Sequence, residues 1–481
     1  MAQNIYITSA EGNTGKSTIA LGMLETLKRS GKTIGVFRPI SRSTTGEDYI
    51  LDLLLAHLWM PDRAPDLIGV SYDDVHADPD AALARIVARY KAIEPEFDVV
   101  LILGSDYTDV STPTELSYNA RIAANLGAPV LLVLGGRSQN ELIPSNAQAL
   151  TGAARSPEEI AQAAEIALAE LHDEHAQLIA VIANRVDPEQ LAATTGAIFA
   201  TVSPSGQIPV WSLPEDAVLI APTLRALMET LDASLYRGDA GLLDREAMSV
   251  VVAAMSMENV LVRLTPDSAV VAPGDRSEVL LSLLMAHTSG TFPSLSGIIL
   301  NGGFDVSPTI ERLIEGIGVD LPILRTNLNT FETAYRVSRT RGRFGADSQR
   351  KYDRALSIFD AHVDGKAILA VLDVVREDIV TPLMFEYQLL ERARSNRKHI
   401  VLPEGDDDRI LRAAGTLLER QAAALTILGD ENDIRGRASR LGRDLTGACI
   451  LSPFDPELRE RFAQSYAQLR AHKGVTLEQA R

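Results

Sequence analysis

The chain has 481 residues, too many for one ordinary hydrophobic core, and the scaling of burial with size predicts about three domains. Hydrophobic residues make up 46% and charged residues 23%, close to the globular average, which excludes a disordered or low-complexity chain. The 46 Lys plus Arg stand against 64 Asp plus Glu, and the net charge of -18 repels nucleic acid and anionic lipid, so an anionic ligand has to be caught locally.

The start, Met1 to Thr8, lacks the basic region and apolar stretch of a signal peptide. No segment reaches the roughly 20 apolar residues of a membrane-spanning helix, so a cytoplasmic location with no membrane partner is expected. From Asn4 to about Leu213 short apolar runs alternate with amphipathic stretches. The runs are Ile5 to Thr8, Thr33 to Phe37, Val99 to Leu103, Pro129 to Leu134 and Leu178 to Ala183. Strands of this kind, separated by helices, predict a parallel sheet covered on both faces. The fold class is α/β, with a doubly wound domain over residues 1–213.

Within it, the run Ser9-Ala10-Glu11-Gly12-Asn13-Thr14-Gly15-Lys16-Ser17-Thr18 lies between a strand and the helix Ile19 to Arg29. That order is what a P-loop requires. Gly12 and Gly15, with Asn13 and Thr14 between them, let backbone amides turn toward phosphate oxygens. Lys16 supplies a cation, Ser17 an oxygen for Mg²⁺, and Thr18 continues the helix start. Ala10 replaces the first glycine of the usual pattern; the structural alternative is a strand-helix turn with a surface lysine, which the flanking strand and helix disfavour.

A hydrolysing P-loop enzyme also needs a carboxylate at the end of a second strand. The strand Asp98 to Gly104 carries Leu103 there, with Asp106 and Asp109 following. Binding without turnover is the expectation, and an ATP-dependent ligase is disfavoured. Arg38, in Phe37-Arg38-Pro39-Ile40, would place a cation near the phosphates. Asn184, in Asn184-Arg185-Val186-Asp187, could read a base edge, although such a run is commonly a turn and helix cap. The expected ligand is an ATP-like nucleotide.

Residues 214–378 repeat the alternation on a smaller scale. Strands are expected at Ser249 to Ala253, Val260 to Leu264, Ser268 to Ala272, Ser296 to Leu300 and Pro322 to Arg325. Helices are expected at Glu278 to His287 and Thr309 to Ile317, with Phe331 to Arg339 and Asp347 to Asp360 leading out. The basic residues Arg336, Arg339, Arg341 and Arg343 read as a solvated face. Residues 379–481 show a strand His399 to Leu402, a helix Asp408 to Glu419, a strand Ala424 to Leu428 and two further helical stretches. One βαβ unit is little for a domain, and this third domain is expected to be incomplete. The one cysteine, Cys449, rules out an intrachain disulfide and reads as a buried small residue in a reducing compartment.

The P-loop region resembles the dethiobiotin synthetase-type fold, and Pro273-Gly274-Asp275-Arg276-Ser277 resembles the Asp-Arg-Thr-Gly-Gly-type module. Thr381-Pro382-Leu383-Met384-Phe385-Glu386, His399-Ile400-Val401-Leu402-Pro403-Glu404-Gly405 and Leu469-Arg470-Ala471-His472-Lys473-Gly474-Val475-Thr476 are similar to the opening of the phosphate acetyl/butyryl transferase domain. Over its whole length the chain thus resembles long-form bacterial phosphate acetyltransferases. The resemblance implies reversible acetyl transfer between acetyl-CoA and phosphate, giving acetyl phosphate and CoA, with no cofactor for that step and a homo-oligomeric state. It implies regulatory, oligomer-forming front domains. No catalytic residue is carried over, because those the family uses are expected downstream, and no metal ligand is assigned. The run Asp406-Asp407-Asp408 reads as an acidic helix start, and Asp275 with Arg276 as a turn. A nucleotide-binding regulatory or scaffold protein is the alternative.

Overall fold

The computed structural model describes residues 2–42, 48–105, 115–138, 152–203, 207–340, 342, 348–374 and 381–481. It divides into two compact units, residues 1–379 and 380–481.

The first unit contains two sheets. The larger has seven strands: β1 Gln3–Ser9, β2 Ile34–Ser41, β3 Ile68–Ser71, β4 Val99–Leu103, β5 Val130–Gly135, β6 Leu178–Val186 and β7 Val210–Pro214. Their spatial order is β3-β2-β4-β1-β5-β6-β7, and every pairing is parallel. Parallel strands need crossovers, so the chain passes through helices on both faces; β4 and β5 are wholly buried and made almost entirely of Val, Ile and Leu, and β1 is buried from Ile5 to Ser9. Strand order changes direction around β1, so the loop after β1 opens at the edge where such sheets present ligand sites.

The second sheet holds β8 Ser234–Arg237, β9 Ser249–Val252, β10 Ser268–Pro273, β11 Leu295–Asn301 and β12 Ile323–Arg325. Its order is β8-β12-β11-β10-β9, antiparallel only at β8–β12. The segment Val260 to Leu264, expected as a strand, contains the end of a short helix, Met257–Leu261, and the turn after it. Three β-branched or leucine side chains in a row satisfy a strand pattern and one helical turn alike, and the packing of Val260 under the sheet decides.

The helices that leave this module return to the first sheet. In Gln349–His362, Phe359 is buried against Gly22 of α1 (Lys16–Lys28), where a Cβ would overlap its ring. Arg29 holds Asp360 through two hydrogen bonds of 3.1 and 2.7 Å. Tyr352 stacks on His57 with ring centroids 4.1 Å apart, and Gly365 lies against Thr26. Arg336 pairs with Glu332, and Arg339 lies over the Tyr335 ring; Arg341 and Arg343 fall outside the described residues.

The second unit has a parallel sheet of β13 Lys398–Leu402, β14 Ala423–Leu428 and β15 Cys449–Leu451 in sequence order. Both crossovers run the same way, so their right-handedness puts both helices on one face. Accordingly Leu411 and Ala414 from one helix, and Ile434 and Ala438 from the other, pack with Leu425 and Ile427. Val401, Cys449 and Leu451 are exposed. The expected burial of Cys449 is therefore corrected: on this short strand its alternate position falls outside the packed cluster.

Candidate phosphate-binding site

The loop after β1 is stapled from below and from one side. Lys16 begins α1, and Gly15, at φ +79°, turns the chain into it. Asn13 also takes a positive φ, +57°, a conformation asparagine tolerates better than most residues. Thr14 is 1% exposed and its hydroxyl makes no hydrogen bond among the described residues. A buried hydroxyl left so is costly, and a ligand oxygen in the loop would satisfy it. Gly12 is buried, Ser17 half-buried and Thr18 buried.

Lys16, 2% exposed, donates to the carbonyls of Gly104 (3.0 Å) and Ser105 (2.7 Å) just past β4. Arg38 reaches the same place from β2, donating to Leu103 O at 3.1 Å and Gly104 O at 2.5 Å. Two cations thus converge on one carbonyl oxygen. Arg38 is offset by Asp48, 3.0 Å away, and both side chains are almost fully buried. Burial pushes the Asp48 carboxyl up, but the Arg38 charge and hydrogen bonds from Leu51, Arg38 and Ser41 hold it below the usual value. Arg38 therefore acts as a buried wall of the site and reaches it through the Gly104 carbonyl. Leu103, fully buried, occupies the strand-end position; Asp106 and Asp109 fall outside the described residues.

The turn that carries those carbonyls is fixed by groups that sequence patterns did not reveal. The Oδ1 of buried Asn119 accepts from the Tyr6 hydroxyl at 2.7 Å and from Ser105 N at 3.1 Å. Burial drives the Tyr6 phenol well above its usual pKa, with Arg38 opposing, so Tyr6 stays a neutral donor.

On the other side β6 breaks register with β7 between Ala183 and Val186, and Arg185 takes φ +62°. Such bulges re-aim side chains at the ends of strands. Here the amide nitrogen of Asn184 donates to Thr14 O (2.9 Å) and Gly15 O (3.3 Å), while Arg185 donates to Asn13 O (2.8 Å). Asn184 thus spends its amide donors on the loop. Glu215, after β7, accepts ion pairs from Arg137 (2.7 Å) and Arg185 (2.9 Å). Glu11 pairs with Arg155 at 2.5 Å. Among the described residues, Lys16, Arg38, Arg137, Arg155 and Arg185 thus stand around the loop with three carboxylates, Glu11, Asp48 and Glu215, that pair with the four arginines, a local positive excess in an acidic chain. Sequence spacing could not find Arg137, Arg155, Glu215 or Asn119, since the fold alone brings them together.

The two other places singled out in sequence are structural. Arg276 pairs with Glu278 at 2.9 Å and donates to Met255 O at 3.1 Å. In the second unit Asp407 caps the helix Asp408–Glu419 and pairs with Arg409 at 2.7 Å, and the Arg409 hydrogen bond holds its carboxyl at about 2. Asp430 and Asp455 cap the next two helices in the same way. All three helix starts at this sheet edge are thus filled by the chain's own carboxylates. No helix among the described residues is long and apolar enough to cross a membrane.

Three family models match: an AAA domain over residues 3–223, a DRTGG domain over 226–340, and Phosphate acetyl/butaryl transferase over 384–481. Phosphate acetyltransferase of Nitratidesulfovibrio vulgaris is 33% identical over 491 aligned positions, covering 100% of this chain and 67% of that protein. Phosphate acetyltransferase of Synechocystis is 31% identical, covering 100% of this chain and 68% of its own length. Among solved structures, the septum site-determining protein MinD of Pyrococcus horikoshii with Mg-ADP is 18% identical over 46% of this chain and 84% of that one, with a TM-score of 0.28.

Proposed function

From the premise that the chain belongs to the phosphate acetyltransferase family, as its full-length similarity at 33% identity shows, we propose a division of labour between its two units. The transferase unit works on acetyl-CoA and phosphate, and the first unit senses a nucleotide. The reaction forms a bond from a phosphate oxygen to the acetyl carbonyl carbon and breaks the carbon-sulfur bond, with CoA leaving as thiolate. It needs a base or acid near sulfur and cations around phosphate, and no redox or electrophilic cofactor.

The observation that carries the transfer reading is the family match over residues 384–481. Within those residues four arginines are held by neighbouring carboxylates: Arg409 by Asp407, Arg437 by Asp408, Arg435 by Glu431 and Arg481 by Glu460. With three helix starts also self-capped, we place the phosphate-holding cations of the reaction outside this segment. A homo-oligomer in the cytoplasm is the setting that fits the family and the lone exposed thiol.

The nucleotide reading is carried by Lys16, the unsatisfied Thr14 hydroxyl and the positive excess around the loop. Gly12 through Thr18 would hold phosphates, Ser17 could meet a magnesium ion, and Leu103 supplies no carboxylate for hydrolysis.

Thiol release from acetyl-CoA with phosphate tests the transfer reading, using this chain and a fusion carrying the part of the Nitratidesulfovibrio relative that this chain does not match. Turnover only in the fusion supports phosphate-holding cations outside residues 384–481. Turnover by both moves the phosphate-holding residues into this chain, and silence in both leaves a nucleotide-binding regulator. Loss of nucleotide binding in Lys16→Ala, with the circular dichroism spectrum retained, tests the sensor reading.

A further inference from the structure

The far wall of the loop limits which base can be read there. The donors of Asn184 are spent on Thr14 and Gly15, and the Arg185 guanidinium is turned to Asn13 and Glu215. What this strand end still offers, among the described residues, is acceptors: the side-chain Oδ1 of Asn184 and the half-buried carboxylate of Asp187, of which Oδ1 takes Glu189 N at 3.0 Å. The segment is tied to both neighbouring strands. Gly136 N donates to Asn184 O at 2.8 Å, Glu215 N donates to Val186 O at 2.9 Å, and a Cβ on Gly136 would overlap Arg185 O. The bulge and the positive φ of Arg185 hold Asp187 just beyond the residues that grip the loop, and strain of that kind persists where a site requires it.

An acceptor-only edge discriminates among bases. Guanine presents two adjacent donors, N1–H and the 2-amino group, which one carboxylate can accept together. Adenine presents a donor beside an acceptor, N6–H and N1, and its N1 lone pair would face the carboxylate. We propose, on the basis of the nucleotide reading above, that the P-loop site takes a guanine nucleotide and that Asp187 reads the base.

The test is the affinity of the full chain for N-methylanthraniloyl GDP and ADP, with and without Mg²⁺. A bidentate base contact is expected to favour GDP by about tenfold or more. Asp187→Asn replaces one acceptor by a donor while keeping a capping side chain, so it should weaken GDP and strengthen xanthosine diphosphate, whose C2 carbonyl accepts. A purely structural Asp187 would not produce that exchange. Equal or tighter ADP binding by the unaltered chain overturns the guanine assignment and leaves the nucleotide reading standing. Failure of both nucleotides to bind, or binding that survives Lys16→Ala, overturns both.

Discussion

Gly22 lies in the middle of α1, where replacing glycine by alanine ordinarily stabilises a helix by about 1 kcal/mol. In this chain the added methyl would run into the ring of Phe359, which is 1% exposed and cannot swing into solvent without leaving its pocket. Overpacking of that kind costs about 1–3 kcal/mol, so Gly22→Ala should lower stability, or at best leave it level, where propensity alone would raise it. Phe359→Ala should cost about 3–5 kcal/mol through the cavity it leaves. In the double variant the methyl meets no ring and fills part of that cavity, so Gly22→Ala should become stabilising on this background. The coupling is expected to be at least about 1 kcal/mol. Urea unfolding followed by far-ultraviolet circular dichroism reads all four proteins. If Gly22→Ala raises the midpoint alone and the two changes add, the helix Gln349–His362 does not lie against α1.

Other expectations follow from single contacts. Arg38→Met leaves Asp48 charged and buried and should cost about 3–5 kcal/mol in the same urea experiment; a loss below about 1 kcal/mol would mean the pair is solvated. Because the folded Asp48 pKa lies below its usual value, its contribution is complete above about pH 4 and is lost as pH falls through the folded value. Acid unfolding monitored by tryptophan fluorescence should therefore be less steep in Asp48→Asn, and an unchanged acid limb would contradict the linkage. The Cys449 thiol is exposed, so Ellman's reagent should titrate one thiol per chain in the native protein, and a thiol released only by denaturant would contradict its placement.

The α/β class and the P-loop were legible because each depends on neighbours in sequence. Ile5 to Thr8 is an apolar run followed at once by a glycine-bearing loop and a helix, and the structure shows β1, the turn at Gly15 and α1 there. Short edge strands were not legible. β3 has four residues after a proline-punctuated turn, and β7 ends in Pro214, so neither carries enough pattern to stand out. The role of Asn184 was hidden for a different reason. Its residue type fits a base reader, but a register break in β6 aims its amide at the loop, and register is a property of the paired sheet. The charged ring of Arg137, Arg155 and Glu215 depends on strand order, which no local spacing encodes.

The return of the helix pair Gln349–His362 and Gly365–Val374 to α1 makes the DRTGG-matching module an insertion within the P-loop lobe. The chain leaves that lobe after β7, builds the second sheet, and comes back to finish what it left. Cutting at residue 213 would therefore amputate the lobe, stripping Gly22 and Thr26 of their cover and leaving Arg29 without Asp360. The economical excision is internal: removing the second sheet and rejoining the chain ahead of Gln349 would preserve a lobe made of two separated stretches of sequence.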